Sequence, residues 1–213
     1  MPINELHPYW HIRSFVEKNP RITTLSLSYY TYLPQTVADN RTTLNLSATD
    51  FLNSSQITEI IEATPDGQEL AIHSNVLLDN GERCHMVMVD MSTASKAHLE
   101  KLRAFLGDHF FQRIAWFNSG RSFHGYGEDL LSQQKWVQFM GLLLLANDPR
   151  LKPTVDPRWI GHRLIADFAA LRWTRNTPHY LVLPSRVSAR PSAPFSEVGI
   201  SEKRLRKTDA ADY

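Results

Sequence analysis

The chain has a single cysteine, Cys84, in 213 residues. That excludes an internal disulfide framework and any zinc site built from several cysteines, and it fits a reducing compartment. No apolar run approaches the roughly 20 residues that a membrane span requires. The longest, Phe139 to Ala146, lies beside Gln134, Lys135 and Gln138 and reads as a buried helix. An excess of one charge is missing too: 23 Lys and Arg oppose 22 Asp and Glu, a net +1. No global field draws nucleic acid in, which counts against a sequence-independent duplex coater and leaves a local basic groove open. The opening Met-Pro-Ile-Asn-Glu-Leu lacks the basic start and apolar core of a signal peptide, so the expectation is a cytoplasmic chain with no membrane partner. There is no Gly-Lys-Ser/Thr phosphate loop, no Gly-x-Gly-x-x-Gly and no Gly-x-Ser-x-Gly. Internal repeats and long low-complexity segments are absent as well.

What is present is ordinary for a globular protein, 42% hydrophobic and 21% charged. The length suits one domain or two intimately packed lobes. Glu5 to Lys18 reads as an amphipathic helix ended by Asn19-Pro20. Ile22 to Tyr30 and Thr43 to Ser47 read as strands. Thr49-Asp50 precedes a short helical stretch, and Ser54 to Ala63 reads as another helix. Leu70 to Leu78 alternates as a strand, Asp79-Asn80-Gly81 turns the chain, and Cys84 to Met91 is the next strand. Ser92 or Thr93 is the expected cap of a helix over Lys96 to Leu106, which Gly107 ends. Phe111 to Phe117 and Ser122 to Tyr126 read as strands around a Ser119-Gly120 turn. Leu130 to Ala146 and Pro157 to Asp167 read as helices, and Ala170 to Trp173 and Tyr180 to Leu183 as short strands. The β-α-β-β-α order from Cys84 to Ala146 is most of an RNA-recognition-motif-like (ferredoxin-like) unit. The first eighty residues read as a second α/β lobe. The expected organisation is one domain over 1–190, with an N-terminal lobe over 1–80, a lobe carrying the chemistry over 81–184, and a mobile polar tail over 191–213.

Four constellations bear polar chemistry. Asp90 ends the apolar run Met86 to Val89 and should sit at a strand edge, with Ser92 two residues on and on the same face. A carboxylate and a hydroxyl so placed can bind Mg²⁺; the alternative is an Asp opening a turn with Ser92 as a helix cap. Ser119-Gly120-Arg121-Ser122-Phe123-His124 joins a small turn, an arginine fork and an imidazole, a compact anion cradle. The alternative is a tight hairpin with a surface Arg and a satisfied His. Asp156 precedes Pro157, which makes it a helix N-cap on its own merits. Arg172 lies in the apolar strand Leu171 to Trp173, where an unpaired charge is expensive. It calls for a bound phosphate or an internal pair with Asp156 or Asp90. His162-Arg163 faces either a template strand or solvent. Trp10, Tyr29, Tyr30 and Tyr32 can stack bases, though aromatics at this spacing more often belong to a core.

The order of these motifs along the chain resembles the archaeo-eukaryotic primase (primase-polymerase) superfamily over about Leu70 to Pro184. Its first motif is Asp-x-Asp or Asp-x-Glu on a strand, its second is commonly Ser-Gly-Arg-Gly-Phe-His, its third is hydrophobic-Asp, and a Leu-Arg segment lies near the nucleotide. The resemblance implies an α+β primase-polymerase fold, with an RNA-recognition-type catalytic lobe packed on an N-terminal α/β lobe. It implies Asp90 and Asp156 as metal-binding carboxylates, with Ser92 in the place of the second acid of the first motif. His124, with Ser119, Gly120 and Arg121, would hold a triphosphate, and Arg172 and Asn176 would lie on its phosphate side. It further implies Mg²⁺ or Mn²⁺, nucleoside triphosphates, a single-stranded DNA template, and a replicative helicase among the partners; small members often belong to mobile elements or defence islands. The implied activity is primer synthesis or extension by a nucleotidyltransferase. Ser92 favours an alternative, a catalytically weakened primase-like protein that binds nucleotide or single-stranded nucleic acid as a replication or defence accessory. A third reading is an unrelated ferredoxin-like binding module. If another acid is needed at the metal, Asp167 and Glu128 are the candidates.

Overall fold

The computed structural model describes residues 2–187. The segment expected to be a mobile tail, 191–213, lies outside the described residues. The fold is α+β, and its frame is an eight-stranded sheet in which every pairing is antiparallel. The strands are β1 (Ile22–Tyr30), β2 (Arg41–Ser47), β3 (Glu69–Leu78), β4 (Arg83–Asp90), β5 (Ile114–Asn118), β6 (Phe123–Ser132), β7 (Ala170–Arg172) and β8 (Ser185–Arg186). Their spatial order is β2-β1-β3-β4-β6-β5-β8, with β7 branching from β3. The expected boundary at residue 80 falls in the β3–β4 turn, and the sheet continues through it.

The branch positions everything that follows. The far half of β3 pairs with β4, through Asn75 to Leu77. The near half, Ala71 to His73, pairs with β7 instead. The C-terminal end of β4 therefore parts from β3, and β7 takes its place. The sheet forks there, with Asp90 on one tine and Arg172 on the other.

The helices follow their caps and apolar faces. Helix α1 (Pro8–Lys18) starts at a proline, with the His7 side chain accepting from the Tyr9 amide. Helices α2 (Ala48–Leu52) and α3 (Ser54–Glu62) are capped by Ser47 and Asn53. Helix α4 (Lys96–Leu106) is followed by a single turn, α5 (Asp108–Phe111). Helix α6 (Gln133–Leu145) packs on β4, β6 and α7 (Pro157–Ala166). One continuous apolar cluster runs from Tyr9 and Phe51 through Ile72 and Trp173 to Met88, Trp136 and Leu143.

Five expectations change. Helix α4 begins after Ser95, not Ser92 or Thr93. The strand expected from Phe111 starts at Ile114, because the chain makes the α5 turn after Gly107. Strand β6 continues to Ser132 rather than stopping at Tyr126. Gly127-Glu128-Asp129 is taken up as a bulge opposite Val87, so the helix expected from Leu130 starts at Gln133. Tyr180 to Leu183 is not a strand; the edge pairing with β5 is made by Ser185 and Arg186.

Candidate active site

The β4–β6 ladder sets Asp90 directly across from His124. Side chains at opposite positions of an antiparallel pair share a face, and Nε2 of His124 lies 3.8 Å from Oδ1 of Asp90. Ser122, one residue before β6, donates its hydroxyl to the same oxygen at 3.1 Å. On the third side the Asp156 amide donates to the Asp90 carbonyl at 2.9 Å, beside a bridge between Met91 and Val155. Asp156 is the N-cap of α7: its Oδ1 accepts from the Arg158 and Trp159 amides at 2.8 and 3.2 Å. The capping role and a site role coexist, since Oδ2 forms no hydrogen bond among the described residues.

These groups line a cleft of about 510 Å³ in the mouth of the fork. Ser92, Ser119, Gly120, Arg121 and Arg172 line it too. Asn176 does not. Its side chain donates to the carbonyls of Pro65 and Gln68, holding the turn before β3. Asp167 and Glu128 are also outside the cleft. Asp167 receives Gln133 and Arg83 on another face, so neither acid supplements Asp90.

The loop after β5 folds as its sequence dictates. Gly120 sits at φ 104°, where a side chain is strained. Its amide donates to Oδ1 of Asn118 at 2.8 Å, so this amide is engaged by the turn itself. The Ser119 hydroxyl donates to the Ser122 carbonyl at 3.0 Å. Arg121 is exposed and donates to the His179 carbonyl at 3.2 Å.

Arg172 is buried, and its partner is not the acid that the sequence suggested. Among the described residues it forms no ion pair. Its guanidinium donates to the carbonyls of Ser119 at 2.8 Å and Val182 at 3.3 Å, and to that of Thr174, and it lies over the Tyr180 ring at 4.0 Å. Its charge is thus oriented by neutral dipoles and left available to an anion. Burial, with Arg172 nearby, holds His124 down at about 3, so the imidazole is neutral across physiological pH. Its Nδ1 is buried without a partner. Burial first, and then the charge of Asp156, pushes Asp90 up to about 7.

The cleft carries further charged residues from α7, β2 and the loop after β1. Arg163 is buried and pairs with Asp39 at 2.5 Å, as does Arg41 at 2.9 Å. His162 lines the cleft beside them. His162-Arg163 was expected to face a template strand or solvent; Arg163 is instead buried against Asp39, a partner that nothing in the sequence pattern named.

A family model described as archaeo-eukaryotic primase 1D-like matches residues 48–185, more than half of the chain. The chain belongs to the archaeo-eukaryotic primase-like family. Among solved structures, a crystal structure of primase RepB' matches at 10% identity and a TM-score of 0.49, over 84% of this chain and 56% of that one. The chain therefore spans little more than half of that protein. No curated protein matches.

Primases of this kind generally depend on a metal ion. Asp90 and Asp156 line the same cleft, and burial there makes the Asp90 charge costly. Asp90, Asp156 and the exposed Ser92 hydroxyl would hold the ion. Ser92 stands where the usual first motif has its second acid, and among the described residues no group of three or more acids, histidines or cysteines could hold a metal.

Proposed function

We propose that the chain is a nucleotidyltransferase of the primase-polymerase type, which makes or extends a primer on single-stranded DNA from nucleoside triphosphates. One observation carries the reading: Asp90, Asp156 and a neutral His124 line one cleft with a buried Arg172 that forms no ion pair among the described residues. In the reaction a strand's 3′-hydroxyl attacks the α-phosphorus, the bond to the β-phosphate oxygen breaks, and pyrophosphate leaves. Arg172 and Arg121 orient the polyphosphate and balance charge on the leaving group. His124 donates one hydrogen bond to a phosphate oxygen. A divalent ion bound by Asp90 and Asp156 would polarise the phosphate and lower the pKa of the attacking hydroxyl. Mg²⁺ or Mn²⁺ serves, and a helicase partner and a mobile-element context belong to the same proposal.

A second reading rests on Ser92, a neutral hydroxyl where the family pattern has an acid. It makes the chain a nucleotide-binding accessory with little turnover. Primer synthesis on single-stranded DNA with Mn²⁺ and labelled nucleoside triphosphates separates the two. The expected result is product from wild type, falling by about a hundredfold or more in Asp90→Ala and in Asp156→Ala. An inert wild type whose Ser92→Asp variant gains activity assigns the accessory role.

A further inference from the structure

We propose that the rim of the cleft is a docking lip for a single strand of DNA, whose bases lie against Tyr32, Leu33 and Leu181. The inference rests on the reading of the cleft as a primase-type site. Two loops far apart in the sequence build the lip. Tyr32 and Leu33 follow β1, and Leu181 lies in the irregular segment between β7 and β8. The loops are clasped: the Tyr32 ring meets those of His179 and Tyr180 edge-on, at 5.4 and 6.1 Å. Even so, Tyr32 keeps 45% of its surface exposed, Leu33 42% and Leu181 76%. All three line the same cleft as Asp90 and Asp156.

Single exposed apolar residues need no explanation, but a braced aromatic beside two exposed leucines at a cleft mouth does. The rim is also cationic. Arg121 and Arg158 are exposed, line the cleft and form no ion pair among the described residues. Each is tied to one of the two loops, Arg121 through the His179 carbonyl and Arg158 through that of Thr36 at 3.5 Å. Apolar faces for bases, with cations within reach of the backbone, are what an unpaired strand requires. A duplex hides its bases and would leave these faces wet. The site of chemistry lies just inside, which is where a templating base has to arrive.

The test uses the full chain. Anisotropy of a labelled oligodeoxythymidine reports strand binding, and calorimetric titration of a nucleoside triphosphate with Mn²⁺ runs beside it. Tyr32→Ala and Leu181→Ser are each expected to weaken strand binding by roughly five- to a hundredfold, the effect of losing one stacked or apposed base. Tyr32→Phe keeps the ring and should stay within about twofold. Nucleotide affinity should not move in any of them. Unchanged strand binding in the double variant overturns the lip. So does a fall in nucleotide affinity with Tyr32→Ala, which would make the rim the seat of the incoming base, and so does a wild type that binds nucleotide but no strand. A wild type that holds the strand through Tyr32 and binds no nucleotide keeps the lip and removes the nucleotide reading instead.

Discussion

The two walls of the cleft are made in different ways. One is sheet. Asp90 and His124 are set against each other by the β4–β6 register, and Asp156 hangs from the Asp90 carbonyl. The other is loop. Residues 31–40 and 173–184 carry almost no regular structure and are held by side chains that grip backbone. The groups that need fixed separations come from a ladder, and the groups that need to yield to a ligand come from loops. If that division is real, the two walls should fail differently when their supports are cut.

The largest effect is expected at the root of the loop wall. Glu69 is fully buried and forms no ion pair among the described residues. Its carboxylate accepts from the Thr174 hydroxyl, the Asn176 and Thr177 amides, and the Thr177 hydroxyl. That one side chain pins the chain just after Arg172. Glu69→Ala strands four donors and should cost roughly 3 kcal/mol or more, about 6–12 °C of melting temperature in a domain of this size. Glu69→Gln keeps acceptor oxygen and should recover part of the loss. Nucleotide affinity should fall further than stability requires, because Arg172 loses its setting. Thermal melts that leave Glu69→Ala at the wild-type temperature would break the comparison, since the loop wall would then be held by something else.

The sheet wall has its own point of failure at Gly127. A Cβ there would lie 2.7 Å from Cβ of Val87 and 2.8 Å from its Cγ1. Val87 Cβ is fixed to the backbone, so the strands themselves must part. Gly127→Ala should cost about 1–3 kcal/mol by overpacking and shift the strand that carries Asp90. The expected signature is a lower melting temperature with turnover falling while nucleotide affinity holds, the reverse emphasis of Glu69→Ala. If both variants lose affinity and turnover in the same ratio, the walls act as one body.

The same division explains what the sequence made legible. Strand alternation and the Asp79-Asn80-Gly81 turn indicated β3 and β4, and so the edge position of Asp90, because period-two patterns and turn chemistry are local. The placement of His124 opposite Asp90 depends on the bulge at Gly127 to Asp129, which the strand pattern did not mark. Arg172 was legible as a buried charge, but its partners are backbone carbonyls, which carry no residue identity. Asn176 looked like a site residue because it follows Leu171-Arg172; its amide instead ties the turn before β3. Ser122 was legible only as a member of the Ser119 to His124 segment, and Glu69 gave no signal. A serine at a strand start and a glutamate before an apolar run are ordinary surface choices until long-range contacts bury them.

The smallest effect is the most diagnostic of strain in the sheet wall. Burial and Asp156 push Asp90 up to about 7 from an ordinary 3.8. Between those values the folded chain holds a proton that the unfolded chain has released. Stability therefore falls as pH rises through that window, and the loss is complete above about 7. An amide at this position has no proton to lose. Asp90→Asn should melt above the metal-free wild type at pH 8, and the margin should shrink as the pH is lowered to 5. His124, His73 and His7 are held down at about 3, 3 and 4 by burial. They act in the opposite sense, removing stability as pH falls below about 6.5, but they do so in both proteins and cancel in the difference. Mn²⁺ at pH 8 should raise the melting temperature of wild type alone, because only the carboxylate gains a partner. A difference that is the same at pH 5 and pH 8 would mean that the Asp90 carboxyl carries no such strain. The sheet wall would then be as relaxed as the loops it faces, and the fork would position the acids without poising them.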